Sequence, residues 1–165
     1  MRLVVSDTGP VLHLREAGAL DLLAKTGEVL IPPAVDNELT ARIVDWPSTR
    51  PDWLQIGRLT AEDIRQARRS QAIGELGAGE AEAIALARSA RADWLLTDDA
   101  GARIVASLLG LEAHGSLGVV LWGAASGHPQ RDEALAALEG RTRSSLWISP
   151  RIVDEARQTL NRLLS

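Results

Sequence analysis

Short apolar runs and longer amphipathic segments alternate along the chain. The first run, residues 3–6, is apolar up to a turn, which is typical of a buried strand in a parallel sheet. Similar runs at residues 27–31, 53–56, 92–97 and 111–114 predict four more strands. The pattern therefore predicts five short strands separated by helical segments.

The segments between these runs carry signals for helix starts and stops. Pro10 suits the first turn of a helix, where its missing N–H costs nothing, and Gly18 predicts a break between two short helices. Thr60 and Asp63 resemble a capping box, with Asp in place of Glu. Residues 45–52 predict a loop because of their prolines and polar side chains. The other predicted helices cover residues 34–42, 60–71, 80–90, 100–109, 116–125, 131–138 and 150–164.

Strands that alternate with helices predict an α/β sandwich built on a parallel sheet. The length of 165 residues fits one domain with a substantial core. The sequence has no internal repeat, low-complexity tract or linker-like segment. We therefore expect a single domain over residues 1–165.

The amino-acid composition excludes several classes of functional site. The formal net charge of −4 argues against a basic protein that coats nucleic acid, but it is compatible with an acidic nuclease site. The absence of cysteine excludes disulfides, thiol catalysis and thiolate zinc sites. His13, His114 and His128 are not spaced as metal ligands, so any metal is expected to be an oxygen-bound ion such as Mg²⁺ or Mn²⁺.

The sequence shows no membrane or secretion signal. No apolar run reaches the roughly 18 residues that a membrane-spanning helix requires. Residues 1–5 enter a strand directly and lack the layout of a signal peptide. These observations predict a cytoplasmic location and no membrane partner.

Acidic residues follow two of the predicted strands. Asp7 comes after the first strand, and Asp98 and Asp99 come after the fourth. Each is individually compatible with a helix N-cap. Because the carboxyl ends of parallel strands lie at one edge of a sheet, we expect these side chains to lie close together.

Two glutamates lie near predicted helix starts. Glu38 lies beside the apolar face of its helix, where a surface position is the alternative, and Glu80 is compatible with a favourable charge at a helix N-terminus. Carboxylates brought together repel each other and raise one another's pKa. A divalent cation would remove that cost, hold a phosphodiester and activate water.

Motifs for other chemistries are absent from the sequence. It contains no phosphate loop of the form Gly-x-x-x-x-Gly-Lys-[Ser/Thr] and no Gly-x-Gly-x-x-Gly after the first strand. It also lacks the Gly-x-Ser-x-Gly element of serine hydrolases. The acidic residues therefore carry the candidate chemistry.

With these residues in place, the sequence resembles PIN-domain proteins of the VapC-like toxin kind, and most of all a PIN-like subgroup long labelled a domain of unknown function. No single motif is specific, but the ordered set spans nearly the whole chain. The similar stretches are VSDTGP (5–10), IPPAVDNEL (31–39), LGAGEAEAIALA (76–87), LLTDD (95–99), GSLGV (115–119) and LWISP (146–150).

The resemblance implies a three-layer α/β/α sandwich around a parallel sheet with strand order 3-2-1-4-5. It also implies a set of site residues. The family's acids map to Asp7, Glu38, Glu80 and Asp99, with Asp98 as a contributor. Two hydroxyls, Thr8 and Thr97, match the small hydroxyl positions beside the acids, and Gly9 departs from the family's serine or asparagine.

The resemblance further implies Mg²⁺- or Mn²⁺-dependent cleavage of RNA, a homodimer, and a protein antitoxin that blocks the acidic groove. Asp7, Glu80 and Asp99 would hold the metal directly or through water. Glu38 would hold a second metal or orient the attacking water. The threonines would position the carboxylates.

Several basic and aromatic residues are candidates for RNA contacts. Arg65, Arg68 and Arg69 share one face of a predicted helix and would contact phosphates, although a solvated helix face is the alternative. Trp46 and Trp53 flank a predicted loop and would stack on bases, or else pack in the core or in an interface.

Three functions fit these residues. The leading interpretation is a metal-dependent endoribonuclease of the toxin–antitoxin type. The alternatives are a non-enzymatic PIN-like interaction module and a structure-specific nuclease that acts on DNA. No feature of the sequence separates RNA from DNA.

Overall fold

A computed structural model describes residues 1–74, 76–128, 131–142 and 149–165. Its centre is a five-stranded sheet of order β3-β2-β1-β4-β5 in which every pairing is parallel. This confirms the predicted parallel sheet and the strand order implied by the resemblance. The strands are β1 (Leu3–Ser6), β2 (Glu28–Ile31), β3 (Leu54–Ile56), β4 (Trp94–Leu96) and β5 (Ala113–His114).

Helices connect the strands and cover both faces of the sheet, as a three-layer sandwich requires. Gly18, with a φ of +68°, separates the first two helices at the predicted break. The helices are α1 (Thr8–Glu16), α2 (Asp21–Thr26), α3 (Pro33–Arg42), α4 (Trp46–Thr49), α5 (Ala61–Gly74), α6 (Ala78–Ser89), α7 (Ala100–Leu108), α8 (Ser116–Ala125), α9 (Arg131–Thr142) and α10 (Pro150–Leu163).

The two faces of the sheet bury alternate residues of each strand, because successive strand side chains point in opposite directions. On β1, Val4 packs in a core with α1, α3 and α8, whereas Val5 packs in a second core with α5, α6 and α7. Both valines are fully buried. The first strand is therefore packed between the two cores, and the residue that follows it starts from a firmly fixed backbone.

Hydrogen bonds extend the sheet just beyond its carboxyl edge. The N–H of Asp7 donates to the carbonyl of Leu96 at 2.8 Å, and the N–H of Thr97 donates to the carbonyl of His114 at 2.9 Å. The first residues after β1 and β4 are thus still fixed by pairing. The hydroxyl of Thr97 also donates to the Asp7 carboxylate at 3.0 Å, so the two strand ends are joined through side chains as well.

Some predicted boundaries were wrong. Residues 45–52 contain α4 rather than only a loop, because fully buried Trp46 ties this segment to α3 through a 2.9 Å bond from Nε1 to Asp36 Oδ1. This burial also confirms the core-packing interpretation of Trp46 over base stacking. Trp53 is partly buried against the same core.

Helix α6 begins two residues earlier than predicted, and α9 extends to Thr142. The predicted capping box is confirmed, since Thr60 and Asp63 exchange backbone-to-side-chain bonds of 2.8 and 3.1 Å. Most of the stretch at 146–150 lies outside the described residues. In the described part of the chain, no helix is both long and apolar enough to cross a membrane.

Candidate active site

Asp7 forms the floor of the site at the end of the central strand. Asp7 is 4% exposed, and its side chain caps α1 by accepting the N–H of Thr8 at 2.6 Å. Its other oxygen, Oδ2, accepts the hydroxyl of Thr97 at 3.0 Å. The cap interpretation of Asp7 and the site interpretation are therefore both compatible with the structure, because one carboxylate has room for both sets of contacts.

Thr97 links the two strands that carry the acids. While its hydroxyl donates to Asp7, it accepts the backbone N–H of Asp99 at 3.2 Å. Asp99 is in turn the N-cap of α7 and accepts the N–H of Ala102 at 2.7 Å. One buried hydroxyl thus fixes the spacing between the end of β1 and the start of α7.

The two glutamates meet at the start of α6. Glu80 accepts the N–H of Gly77 at 2.7 Å, and Glu38 on α3 accepts the N–H of Gly79 at 3.0 Å. Glu38 Oε2 also accepts the hydroxyl of Thr8. A Cβ atom on Gly79 would lie 2.7 Å from Glu38 Oε2, so glycine at this position permits the close approach of α3 to α6.

These side chains surround one cavity of about 260 Å³ at the carboxyl edge of the sheet. The structure thus brings together all four acids that the sequence predicted as catalytic, together with Asp98 and Thr8. The cavity is lined by Asp7, Thr8, Gly9, Leu12, His13, Glu38, Arg42, Glu80, Asp98 and Asp99.

A larger cavity of about 430 Å³ lies elsewhere, between the α1–α2 turn and α9. Its charged lining consists of Asp21, Lys25 and Glu133, beside His128. Because the acids there are few and lie next to a lysine, this cavity lacks the concentration of carboxylates found at the sheet edge. The smaller cavity is therefore the candidate active site.

Burial and mutual repulsion both act on the carboxylates. Burial, with smaller contributions from Glu80 and Glu38, raises the pKa of Asp7 to about 7 despite the hydrogen bonds from Thr8 and Thr97. Burial, followed by the charges of Asp99 and Glu38, also raises the pKa of Glu80. Ionisation of these carboxylates is therefore energetically unfavourable when no cation neutralises them.

A divalent cation fits this cluster by charge and by donor type. All the candidate ligands are carboxylate oxygens, which Mg²⁺ and Mn²⁺ prefer. The raised pKa values show the electrostatic cost that a cation would remove. Among the described residues, no three Asp, Glu or His side chains are arranged as a complete set of metal ligands.

Asp98 lines the cavity but makes a separate set of contacts. Its Oδ1 accepts the N–H of Ser116 at 2.7 Å, and its Oδ2 accepts the hydroxyl of Ser116 at 2.6 Å and lies 2.8 Å from Nδ1 of His13. A metal contribution from Asp98 stays a prediction. Sequence reasoning missed His13 and Ser116, although the start of a helix at Ser116 was visible.

The position of His13 bears on the unusual Gly9. A Cβ atom at Gly9 would lie 3.3 Å from Cβ of Asp98 and 3.5 Å from the His13 ring. Gly9 therefore lies against the Asp98–His13 pair rather than against open solvent. In this chain, His13 on α1 provides the contact to Asp98 from that helix.

The arginines predicted to bind RNA do not line the cavity. Arg65 forms an ion pair with Glu62 at 2.6 Å. A 3.2 Å bond from Arg88 to Gln66 places this part of α5 beside the last turns of α6, about 12 Å along α6 from Glu80. Contacts between RNA and Arg65, Arg68 or Arg69 stay a prediction, and they would involve nucleotides far from the acids.

The chain matches a known protein family. A model of the DUF3368 family, described as a PIN domain, matches residues 3–162. No curated protein and no solved structure matches the chain. PIN domains have a nuclease fold and generally use divalent metal ions. Since the match covers nearly the whole chain and the sheet has the order implied by the resemblance, the chain belongs to the PIN-domain family.

Proposed function

We propose that this protein is a Mg²⁺- or Mn²⁺-dependent endoribonuclease of the toxin–antitoxin type, which hydrolyses RNA phosphodiester bonds. One observation carries the proposal. Four carboxylates, Asp7, Glu38, Glu80 and Asp99, meet around a single cavity at the carboxyl edge of a PIN-domain sheet. Burial, with the charges of neighbouring acids, raises the pKa of Asp7 and Glu80, and carboxylates perturbed in this way are typical of functional sites.

The proposed roles follow from the contacts of each acid. Asp7, Glu80 and Asp99 would hold the metal, directly or through water. Glu38, which is held by Thr8 and the N–H of Gly79, would hold a second ion or orient the attacking water. A bound divalent cation would neutralise the acids, polarise the phosphodiester and help to activate water.

The residues around the acids would keep the reaction geometry fixed. Thr97 holds Asp7 and the start of α7 at a set distance, and Thr8 holds Glu38. Asp98, through Ser116 and His13, would hold the start of α8 and the face of α1 against the site. This positioning role for Asp98 is an alternative to the metal contact that the sequence predicted.

The biological setting is part of the same proposal. As a toxin, the protein would act on RNA in the cytoplasm, form a homodimer, and be held inactive by a cognate protein antitoxin. A small neighbouring gene that encodes a DNA-binding antitoxin would support this setting. An isolated gene with no such neighbour would argue for a nuclease outside toxin–antitoxin systems.

Cleavage of RNA is the direct test. We expect the wild-type protein to cleave single-stranded RNA with Mg²⁺ or Mn²⁺ and to lose activity in EDTA. Asp7→Asn and Asp99→Asn should each lower the rate by more than about a hundredfold, beyond the effect typical of positioning residues. Asp52→Asn, at an exposed position away from the cavity, is the matched control.

Three results would redirect the proposal. Activity that survives both substitutions would remove the site assignment. A protein that binds Mg²⁺ in calorimetry but cleaves only DNA would be the structure-specific DNA nuclease. A folded protein that neither binds the metal nor cleaves nucleic acid would be the interaction module.

A further inference from the structure

One cationic side chain, Arg42, lies in the wall of the acidic cavity. It sits in the last turn of α3 and is exposed. Among the described residues that line the cavity, it is the only lysine or arginine. A cationic side chain beside five carboxylates favours the approach of a polyanion. We propose that Arg42 is a substrate-binding residue that contacts a backbone phosphate of the RNA.

The hydrogen bonds around Arg42 leave its guanidinium available. A glutamate four residues earlier on a helix normally pairs with an arginine. That residue is Glu38, whose oxygens accept the hydroxyl of Thr8 and the N–H of Gly79, and the described residues contain no ion pair between Glu38 and Arg42. Within the described part of the chain, Arg42 forms no ion pair with any carboxylate.

Other arginines near the site are engaged differently. The Nε of Arg103 donates to the carbonyl of Thr97 at 3.1 Å, and its guanidinium lies over Gly115, outside the cavity lining. Arg65 is paired with Glu62 on the far part of α5. Among the arginines that the structure describes, Arg42 is thus the one that combines exposure, absence of an ion pair and a place in the cavity wall.

The position of Arg42 indicates which phosphate it would bind. It follows Glu38 by four residues, which is about 6 Å along the helix axis. The backbone of Arg42 therefore lies about one helical turn beyond Glu38, and we assign to its guanidinium a phosphate next to the scissile one. Its loss should weaken substrate binding and leave the chemical step nearly unchanged.

The proposal rests on the proposed function and is tested with the full-length protein and a single-stranded oligoribonucleotide. We expect Arg42→Gln to raise KM about tenfold, the effect of one lost charge-assisted hydrogen bond, with kcat within about threefold of wild type. The slope of log K against log salt should become shallower by about 0.7, which corresponds to one phosphate contact on a single strand.

Two further variants sharpen the result. Arg91→Gln is the matched control, because Arg91 is exposed and lies just before β4, at the opposite edge of the sheet from the cavity. It should match wild type in KM and in salt slope. Arg42→Lys keeps the charge and should restore the salt slope, because a lysine can also bind phosphate.

A substrate of minimal length gives an independent readout. A dinucleotide that contains only the scissile phosphate offers no neighbouring phosphate to Arg42, so wild type and Arg42→Gln should cleave it equally. The two proteins should diverge on longer oligonucleotides. A difference on the dinucleotide as large as that on longer substrates would overturn the neighbouring-phosphate assignment.

The failures of the two proposals are distinguishable. If wild type cleaves RNA but Arg42→Gln retains its KM and salt slope, the role of Arg42 is wrong and the nuclease proposal stands. If wild type neither binds nor cleaves RNA, the nuclease proposal and the role of Arg42 both fail. Equal melting temperatures of wild type and Arg42→Gln would show that a change in KM does not come from unfolding.

Discussion

Replacing Asp7 by asparagine is expected to stabilise the metal-free protein at alkaline pH, although it removes a proposed metal ligand. Burial raises the pKa of Asp7 from 3.8 to about 7. Above that pH, the folded chain holds a carboxylate that burial and Glu80 disfavour, whereas the unfolded chain hydrates it freely. An asparagine has no charge and still offers an oxygen to the N–H of Thr8, so it can keep the cap of α1.

The pKa difference sets the pH window and the size of the effect. Because the folded-state pKa lies above the unfolded value, Asp7 favours the fold below about pH 4 and loses that contribution as the pH rises to about 7. At about 1.4 kcal/mol per unit, the full difference is about 4 kcal/mol. Losing the charged hydrogen bond from Thr97 offsets part of this, so we expect about 2–4 kcal/mol.

Thermal unfolding in EDTA at about pH 5 and about pH 8.5 measures the effect. A gain of this size corresponds to about 5–15 °C in Tm for a chain of this length. The advantage of Asp7→Asn over wild type should be large at the higher pH and small at the lower one. Asp52→Asn, at an exposed position, should change Tm little at either pH.

Addition of Mg²⁺ completes the experiment. Millimolar Mg²⁺ should raise the Tm of wild type at the higher pH through linkage to binding, and should raise that of Asp7→Asn much less. If Asp7→Asn is less stable than wild type in EDTA at the higher pH, the reasoning from buried charge is refuted. A difference that does not depend on pH would refute it equally.

Two further substitutions test the residues that position the acids. A Cβ atom at Gly79 would lie 2.7 Å from the Glu38 carboxylate, so Gly79→Ala should displace that carboxylate and lower kcat without lowering Tm. Gly118→Ala is the control: its Cβ atom would meet nothing closer than 3.7 Å, so activity should stay unchanged. Thr97→Val removes a buried hydrogen-bond donor to Asp7. It should lower kcat about 10- to 100-fold and lower the free energy of unfolding by about 1–3 kcal/mol. A full rate in steady-state cleavage assays would contradict the positioning role of Thr97.

The sheet and the meeting of Asp7 with Asp99 were predictable from sequence because both depend on local signals. The apolar runs mark the strands, and in a parallel sheet the carboxyl ends of strands share an edge, so Asp7 and Asp99 had to lie near each other. The places of Glu38 and Glu80 came from the resemblance. Periodicity alone gave no reason to bring α3 against the start of α6.

Other features of the site depend on contacts between residues far apart in the sequence. Glu38 is oriented by the N–H of Gly79, which lies 41 residues later. His13 pairs with Asp98 across 85 residues, and a single histidine on an apolar helix carries no signal of that partner. The cavity position of Arg42 likewise follows from the packing of α3 and not from its own segment.

The proposed catalytic acids are also structural parts of three helix starts. Asp7 and Asp99 cap α1 and α7, and Glu80 accepts the N–H of the residue that caps α6. Replacing a cap by alanine costs about 1 kcal/mol, so selection for stability alone retains cap-forming residues there. A descendant that abandons catalysis would drift toward Asn, Ser or Thr at positions 7 and 99. In such a lineage, a polar residue at these positions would indicate only that the helix caps are retained, whereas a carboxylate would indicate a nuclease that is still active.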